Sequence, residues 1–285
     1  MIDYRGASYS QAEFDRQFNP RLVAVNPDAV PERRAALSDA IRARRPHALG
    51  LAYGDRPRET IDVFPGDTPG GPVLVYFHGG YWRAGSARDN NFIAEPFLAA
   101  GACVALINYD LCPTVPIGTI VAQAGKAIGW IRANIGQHGG DGERLFLLGH
   151  SAGAHLAAMV LADKNAAAPL EAIQGAALVS GIYDLDPVIR AAVNHEIGLT
   201  RADVAPFSPL GHPPHTPVSL IVAVGLAESN EWVRQSRLYA GVAEAAGCPV
   251  ERIDIPDADH YKPLFDILEP GDPMCEAIVA RMGLA

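Results

Sequence analysis

The chain alternates short apolar runs with longer amphipathic stretches from about residue 48 onwards. The runs are hydrophobic at consecutive positions, which is typical of strands that are covered on both faces. They predict strands over residues 60–64, 73–77, 102–108, 145–148, 176–180, 218–224 and 250–255. Because these runs alternate with helical patterns, we expect an α/β domain with a mostly parallel central sheet and helices on both faces.

The segments between the strands carry helical periodicity. Apolar residues recur at steps of three and four over 117–135, and a second such stretch over 230–246 ends at Gly247. Residues 1–47 are charged and helical in pattern, so they predict an N-terminal helical arm. Residues 182–217 are irregular and rich in Pro and His, which favours a lid or a pocket-lining insertion. We interpret residues 1–285 as a single domain.

The amino-acid composition excludes several kinds of protein. The chain has 285 residues, 49% of them hydrophobic, and its 23 Lys and Arg against 32 Asp and Glu give a net charge of −9. Disorder requires a less hydrophobic chain, and an acidic balance argues against general nucleic-acid binding. The uncharged stretch 145–162 reads better as a strand, a turn and a buried helix than as a membrane span, because glycines and histidines interrupt it. The four cysteines form no C-x-x-C pair, and neither a P-loop nor a dinucleotide fingerprint occurs, so we expect no metal and no cofactor. The first residues form no apolar stretch of the kind found in a signal peptide, so we expect a cytoplasmic location.

The most informative motif is Gly-His-Ser-Ala-Gly over residues 149–153. It has the G-x-S-x-G pattern of a nucleophile elbow, in which a serine occupies a sharp turn between a strand and a helix. A predicted strand precedes it and a helix-forming segment, residues 154–162, follows it. The pattern therefore predicts Ser151 as a nucleophile.

A second motif, His78-Gly79-Gly80-Tyr81-Trp82, directly follows the predicted strand 73–77. Glycines at this place let backbone N–H groups approach a substrate oxygen, so we predict an oxyanion hole made by the N–H groups of Gly80, Tyr81 and Ala152. We interpret His78 as a structural residue that fixes the loop. Tyr81 and Trp82 are expected to form a wall of the pocket, with core packing as the alternative.

The partners of such a serine follow it in chain order, first an acid and then a histidine. His260 follows the last predicted strand and is the expected base. Glu228 follows the preceding strand and is the expected acid. Glu231 is the rival acid, although a glutamate in the first turn of a helix is also explained by the helix dipole. We expect His155, on the helix after the nucleophile, to be buried and hydrogen-bonded.

Taken together, these segments resemble the α/β-hydrolase kynurenine formamidases (arylformamidases). The resemblance rests on the HGGxW loop at 78–82, Asn-Tyr-Asp-Leu-Cys-Pro at 108–113, the elbow, Ser-Gly-Ile-Tyr-Asp-Leu at 180–185 and Glu228-Ser229. It implies the α/β-hydrolase fold and hydrolysis of N-formyl-L-kynurenine to L-kynurenine and formate, with Ser151, His260 and Glu228 as the triad. Two departures are the acid, which is often Asp in relatives, and the segment Tyr261-Lys262-Pro263.

The leaving-group side of the pocket is less well defined by sequence. Candidate pocket residues are Trp82, Tyr109, Tyr183, His195 and Tyr261. Arg83, Asp184 and His195 are candidates for binding an amino-acid head group. The expected partner is a small aromatic amide or ester, with neither nucleic acid nor a membrane, and a homodimer is one assembly state that the sequence leaves open.

Two other functions remain open on the sequence alone. One is a carboxylesterase or an amidase for another small aromatic substrate. The other is a non-catalytic binding protein with the same fold, and retention of all three triad residues argues against it.

Overall fold

The computed structural model describes residues 1–163 and 170–284. The strands are β1 Ile2–Tyr4, β2 Ala7–Tyr9, β3 Ala48–Ala52, β4 Thr60–Phe64, β5 Gly71–Phe77, β6 Cys103–Ile107, β7 Gly140–His150, β8 Ile173–Val179, β9 Ser219–Gly225 and β10 Val250–Ile255. The helices are α1 Gln11–Phe18, α2 Val30–Arg44, α3 Ala94–Ala99, α4 Ile117–Asn134, α5 Ala152–Ala162, α6 Asn194–Ile197, α7 Arg201–Phe207, α8 Asn230–Ala245, α9 Lys262–Asp266 and α10 Pro273–Arg281.

An eight-stranded sheet in the order β10-β9-β8-β7-β5-β6-β4-β3 forms the centre of the fold. The strands from β10 to β6 run parallel, whereas β4 and β3 add to the edge in antiparallel register. Each strand predicted from the sequence is present, and the predicted mostly parallel α/β class is confirmed. Because the parallel strands point the same way, the loops at their carboxyl ends meet at one edge of the sheet, where ligands bind in folds of this kind.

Both faces of the sheet are buried. On β5, Val73, Val75 and Phe77 join the core that contains α4, α5 and α8, while Leu74 and Tyr76 join the core that contains residues of α2, α3 and α10. This two-sided burial explains why the strands read as continuous apolar runs instead of alternating ones.

The N-terminal arm contains both helices and strands. The hairpin β1–β2 precedes α1, which the prediction of a helical arm did not include. The helix α1 begins at a capping box between Ser10 and Glu13 and packs through the buried Phe14 and Phe18. Edge strand β3 was also not predicted, since its sequence Ala-Leu-Gly-Leu-Ala contains no β-branched residue.

Within residues 1–163 and 170–284, we find no helix with the length and hydropathy needed to cross a membrane. In the same part of the chain, no cluster of His, Cys, Asp and Glu has an arrangement that would hold a metal ion.

Candidate active site

Ser151 occupies the turn between β7 and α5, with φ 58° and ψ −121°. A non-glycine residue with this backbone conformation is strained and persists only where its surroundings impose it. Those surroundings include two glycines, because a Cβ on Gly149 would lie 2.4 Å from the Gly153 carbonyl oxygen and one on Gly153 would lie 1.9 Å from the Phe77 carbonyl oxygen. The turn therefore depends on glycine at both places, and it holds Ser151 at the N-terminus of α5, where the helix dipole favours negative charge.

The loop after β5 is also held in unusual backbone conformations. Gly80 has φ 123°, and both Tyr81 and Trp82 have φ 56°. A Cβ on Gly80 would lie 2.1 Å from the Ala84 carbonyl oxygen, so a tight turn fixes this residue as glycine. Among the described residues, no group accepts a hydrogen bond from the backbone N–H of Gly80, Tyr81 or Ala152. These N–H groups therefore remain available to an external oxygen.

Buried aromatic and imidazole rings hold this loop in place. The His78 ring stacks on Tyr109 with centroids 4.2 Å apart, and its Nδ1–H donates to the Gly79 carbonyl at 2.7 Å. Trp82 Nε1–H donates to His155 Nδ1 at 3.3 Å, and His155 Nε2–H donates to the Phe207 carbonyl at 2.7 Å. Burial lowers the pKa of His78 to about 3 and that of His155 to about 4. Both rings are therefore neutral at pH 7, in agreement with the structural role expected for His78 and the buried, hydrogen-bonded position expected for His155.

Glu228 and His260 meet in a buried contact at the carboxyl ends of β9 and β10. Glu228 Oε2 lies 2.6 Å from His260 Nδ1, and the two side chains are 0% and 2% exposed. Glu228 Oε1 accepts hydrogen bonds from Ser180 Oγ at 2.5 Å and from the Gly225 N–H at 2.9 Å. Two donors thus hold one oxygen of the Glu228 carboxylate, while its other oxygen orients the His260 imidazole.

The structure brings Glu228, and not its rival Glu231, to His260. Glu231 Oε2 accepts a hydrogen bond from Tyr4 at 3.0 Å and pairs with Arg234 Nη2 at 2.7 Å. It therefore lies in the first turn of α8, where it fastens the N-terminal hairpin.

His150 is a neighbour of the site that sequence reasoning treated only as part of the elbow motif. Its ring centroid lies 4.7 Å from that of His260, and its Nε2–H donates to the His260 carbonyl at 2.8 Å. Burial holds the pKa of His150 well below its usual value. A neutral ring at this place supports the loop of His260 without adding a positive charge beside it.

Ser151 and His260 both open into a cavity of about 640 Å³, which we call the catalytic cavity. Its volume lies within the range of roughly 300–1,000 Å³ that is usual for small-molecule sites. The described residues that line it are Asn19, Pro20, Arg21, Val30, Pro31, Glu32, Arg34, Ala35, Gly79, Gly80, Tyr81, Arg83, Ala84, Gly85, Asp89, His150, Ser151, His260 and Tyr261.

The wall of the catalytic cavity differs from the predicted pocket. Tyr81 and Tyr261 line it, whereas Trp82, Tyr109 and Tyr183 are 0% exposed and lie in the core. Trp82 and Tyr109 are drawn inward by their contacts with His155 and His78, and Tyr183 is stacked on Tyr239 with centroids 4.4 Å apart.

Of the predicted lid and head-group residues, Arg83 lines the cavity and the others are placed elsewhere. His195 is exposed on α6, and none of the described residues lining the cavity belongs to 182–217. Asp184 lies 4.0 Å from Arg234 and away from the cavity, while Arg83 lines the cavity but pairs with Glu196 at 2.6 Å. The segment 182–217 instead packs against the helices, because Phe207 binds His155 through its carbonyl oxygen.

The N-terminal arm provides the opposite wall, which we call the roof and which comprises the lining residues between Asn19 and Ala35. Hydrogen bonds tie the arm to the loops that follow β5, β9 and β10. The Phe18 carbonyl accepts from Tyr81 Oη at 2.7 Å, the Gln17 carbonyl accepts from Ser229 Oγ at 2.7 Å, and the Val25 N–H donates to Asp259 Oδ2 at 2.8 Å. The arm therefore lies over the catalytic cavity and forms its roof.

Comparisons with known proteins agree with this architecture. A family model described as the alpha/beta hydrolase fold matches residues 74–262. Kynurenine formamidases of Danio rerio and Salmo salar are each 30% identical, covering 99% and 98% of this chain and 99% of their own length. A solved structure from Silicibacter sp. is similar with a TM-score of 0.83 at 24% identity, covering 95% of this chain and 99% of its own. The carboxylesterase EstE1 is similar with a TM-score of 0.71 at 19% identity, covering 93% of this chain and 96% of its own.

Proposed function

Since the chain belongs to the α/β-hydrolase-fold kynurenine formamidase family and is a hydrolase, we propose that it is a serine hydrolase that cleaves an aryl formamide, namely N-formyl-L-kynurenine. The names of its full-length relatives support this substrate. The observation that carries the mechanism is the buried contact of 2.6 Å between Glu228 and His260, at the cavity into which Ser151 opens.

The first step is attack of Ser151 Oγ on the formyl carbonyl carbon. His260 Nε2 takes the hydroxyl proton, while Glu228 holds the Nδ1–H tautomer and stabilises the imidazolium that forms. The charge that develops on the carbonyl oxygen is stabilised by the N–H groups of Gly80, Tyr81 and Ala152. One donor of this kind contributes on the order of 10²–10³ in kcat.

The C–N bond then breaks, and His260 gives its proton to the departing arylamine, which leaves as L-kynurenine. A water molecule attacks the formyl ester on Ser151 with His260 again acting as base. Release of formate restores the free serine.

The test is steady-state kinetics of the purified protein on N-formyl-L-kynurenine beside p-nitrophenyl acetate. We expect a higher kcat/KM for the formamide, and Ser151→Ala should lower kcat by on the order of 10⁴–10⁶. Ser8→Ala, a change of an exposed serine in β2, is the control and should leave turnover unchanged. Ester turnover without formamide turnover would overturn the substrate and favour a carboxylesterase, whereas an active Ser151→Ala protein would overturn the mechanism.

A further inference from the structure

The arginines that line the catalytic cavity differ in whether an acidic residue of the protein already pairs with them. Among the described residues, the arginines that line the catalytic cavity are Arg21, Arg34 and Arg83. Arg21 lies 2.5 Å from Asp28, and Arg83 lies 2.6 Å from Glu196. Arg34 has neither an ion pair nor a hydrogen bond within residues 1–163 and 170–284.

The guanidinium of Arg34 is held in a desolvated place. Its Nε is buried without an acceptor, and its Cζ lies 5.8 Å from the centroid of the Tyr261 ring, next to His260 in sequence. Burial lowers the pKa of Arg34, which is the signature of a cation that has lost water without gaining an anion. A half-buried, unpaired cation is unfavourable in the free protein, and a bound anion would offset that penalty.

Two acidic residues also line this part of the cavity. Asp89 accepts a hydrogen bond from Ser86 Oγ at 2.7 Å, and Glu32 is exposed on the same helix as Arg34. Asp89 acts on Arg34 only through the longer-range electrostatic attraction between their charges. A ligand with a carboxylate and an ammonium group would therefore meet both signs of charge. Among the described arginines that line the cavity, Arg34 is the one without an anionic partner, so it selects the carboxylate.

We propose that Arg34 is a specificity-determining residue that binds a carboxylate on the leaving group of the substrate. The proposal rests on the proposed function, because it assigns the leaving-group end of the same cavity. The planar guanidinium presents two parallel N–H donors that match the two oxygens of a carboxylate, and such a pair is stronger than a neutral hydrogen bond. Arg34 contacts the substrate at a distance from the reacting atoms, so its loss acts on binding.

The experiment compares two formamides that differ in one group, N-formyl-L-kynurenine and its decarboxylated analogue, which keeps the aryl formamide and the amine. The measured quantity is the ratio of their kcat/KM values. We expect Arg34→Met to lower this ratio by about 10- to 100-fold, mainly through KM for the carboxylate substrate. Arg34→Lys should recover part of the ratio, because it keeps the charge and loses the planar pair of donors.

Arg33→Met is the matched control. Arg33 is the neighbouring cation on α2, but its Cζ lies over the Phe265 ring at 3.9 Å and it does not line the catalytic cavity. The control should keep the wild-type ratio. An equal loss on both formamides, or the same loss in Arg33→Met, would overturn the assignment.

A binding measurement on the Ser151→Ala background gives a second, independent readout. Calorimetry should show weaker binding of N-formyl-L-kynurenine by a similar factor when Arg34→Met is added, and an unchanged Kd would overturn the proposal. If the wild type turns over neither formamide, the proposed function fails. The same ratio is then measured on two aryl acetates, with and without a carboxylate on the leaving phenol, where no preference and no effect of Arg34→Met would overturn the role of Arg34.

Discussion

The floor of the catalytic cavity and its roof are built in different ways. The floor consists of strand-end loops in which Ser151, His260 and Glu228 are nearly fully buried and fixed by backbone turns that admit only glycine at key places. The roof is part of the N-terminal arm, which contacts three loops of the site through one hydrogen bond each, and Leu22 and Val25 in it are 48% and 74% exposed. The difference separates two tasks, because a rigid floor preorganises the chemistry while a lightly attached roof supplies contacts to the rest of the substrate.

After removal of the Ser151 hydroxyl itself, the largest effect expected from a change in the floor comes from the acid, Glu228. Glu228→Gln keeps the shape of the side chain but removes the charge that orients His260, so kcat should fall on the order of 10³–10⁴-fold. Glu231→Gln is the matched control, since it removes a carboxylate three residues away that pairs with Arg234. Kinetics on the preferred substrate decide the matter, and a greater loss in Glu231→Gln would make our assignment of the acid wrong.

A smaller effect, on the stability of the fold, concerns His155, one of the neutral histidines that support the floor. Burial depresses the pKa of His155 to about 4, from about 6.5 in the unfolded chain. Between pH 4 and 6.5 the unfolded state therefore binds more protons than the folded state. The contribution of neutral His155 to the free energy of unfolding is complete above pH 6.5 and is lost as the pH falls towards 4. Between pH 7.5 and 5, this group alone should lower the free energy of unfolding by about 2 kcal/mol.

His155→Gln tests that linkage, because glutamine stays uncharged throughout the window. Urea unfolding at pH 7.5 and 5 should show a weaker pH dependence in this variant than in the wild type. His215→Gln, a change of an exposed histidine, is the control and should retain the wild-type dependence. Parallel stability profiles for His155→Gln and the wild type would refute the role assigned to this ring.

The same contrast explains which parts of the molecule the sequence predicts. The elbow, the glycine loop and Glu228 are encoded locally, since each directly follows a strand that the hydrophobic pattern reveals. The position of Trp82 depends on His155, which is 73 residues away in the chain, and a loop sequence holds no sign of such a partner. Arg34 enters the site because α1 docks through Phe14 and Phe18 and the chain that follows places α2 over the cavity, and nothing in the local sequence around Arg34 indicates this position.

The segment 182–217 illustrates the opposite error. Its Pro and His content favoured a lid, yet none of the described residues that line the catalytic cavity belongs to it, and Glu196 contacts the lining only by pairing with Arg83. Gln235 Oε1 of α8 accepts from the Tyr183 N–H at 2.8 Å and from the Asp184 N–H at 2.9 Å, and the Phe207 carbonyl accepts from His155 of α5. Irregular composition therefore indicated a loop-rich region, but the packing partners decided which surface it covers.

The smallest effect should come from loosening the roof at Asp259. Asp259→Asn keeps one oxygen for the N–H groups of Tyr261 and Lys262 but removes the carboxylate oxygen that accepts from the Val25 N–H. Because this hydrogen bond is exposed to solvent, it should contribute about 0.5–1.5 kcal/mol, and its loss should make amide hydrogen exchange over residues 20–30 several-fold faster. KM should rise about 2- to 10-fold with a smaller change in kcat, because the loss acts on the roof.

Asp257→Asn, a change of an exposed carboxylate on the same loop, is the control and should alter neither KM nor the exchange rate. If Asp259→Asn lowered kcat and left both KM and exchange unchanged, the arm would belong to the rigid floor, and the distinction between the two walls would fail.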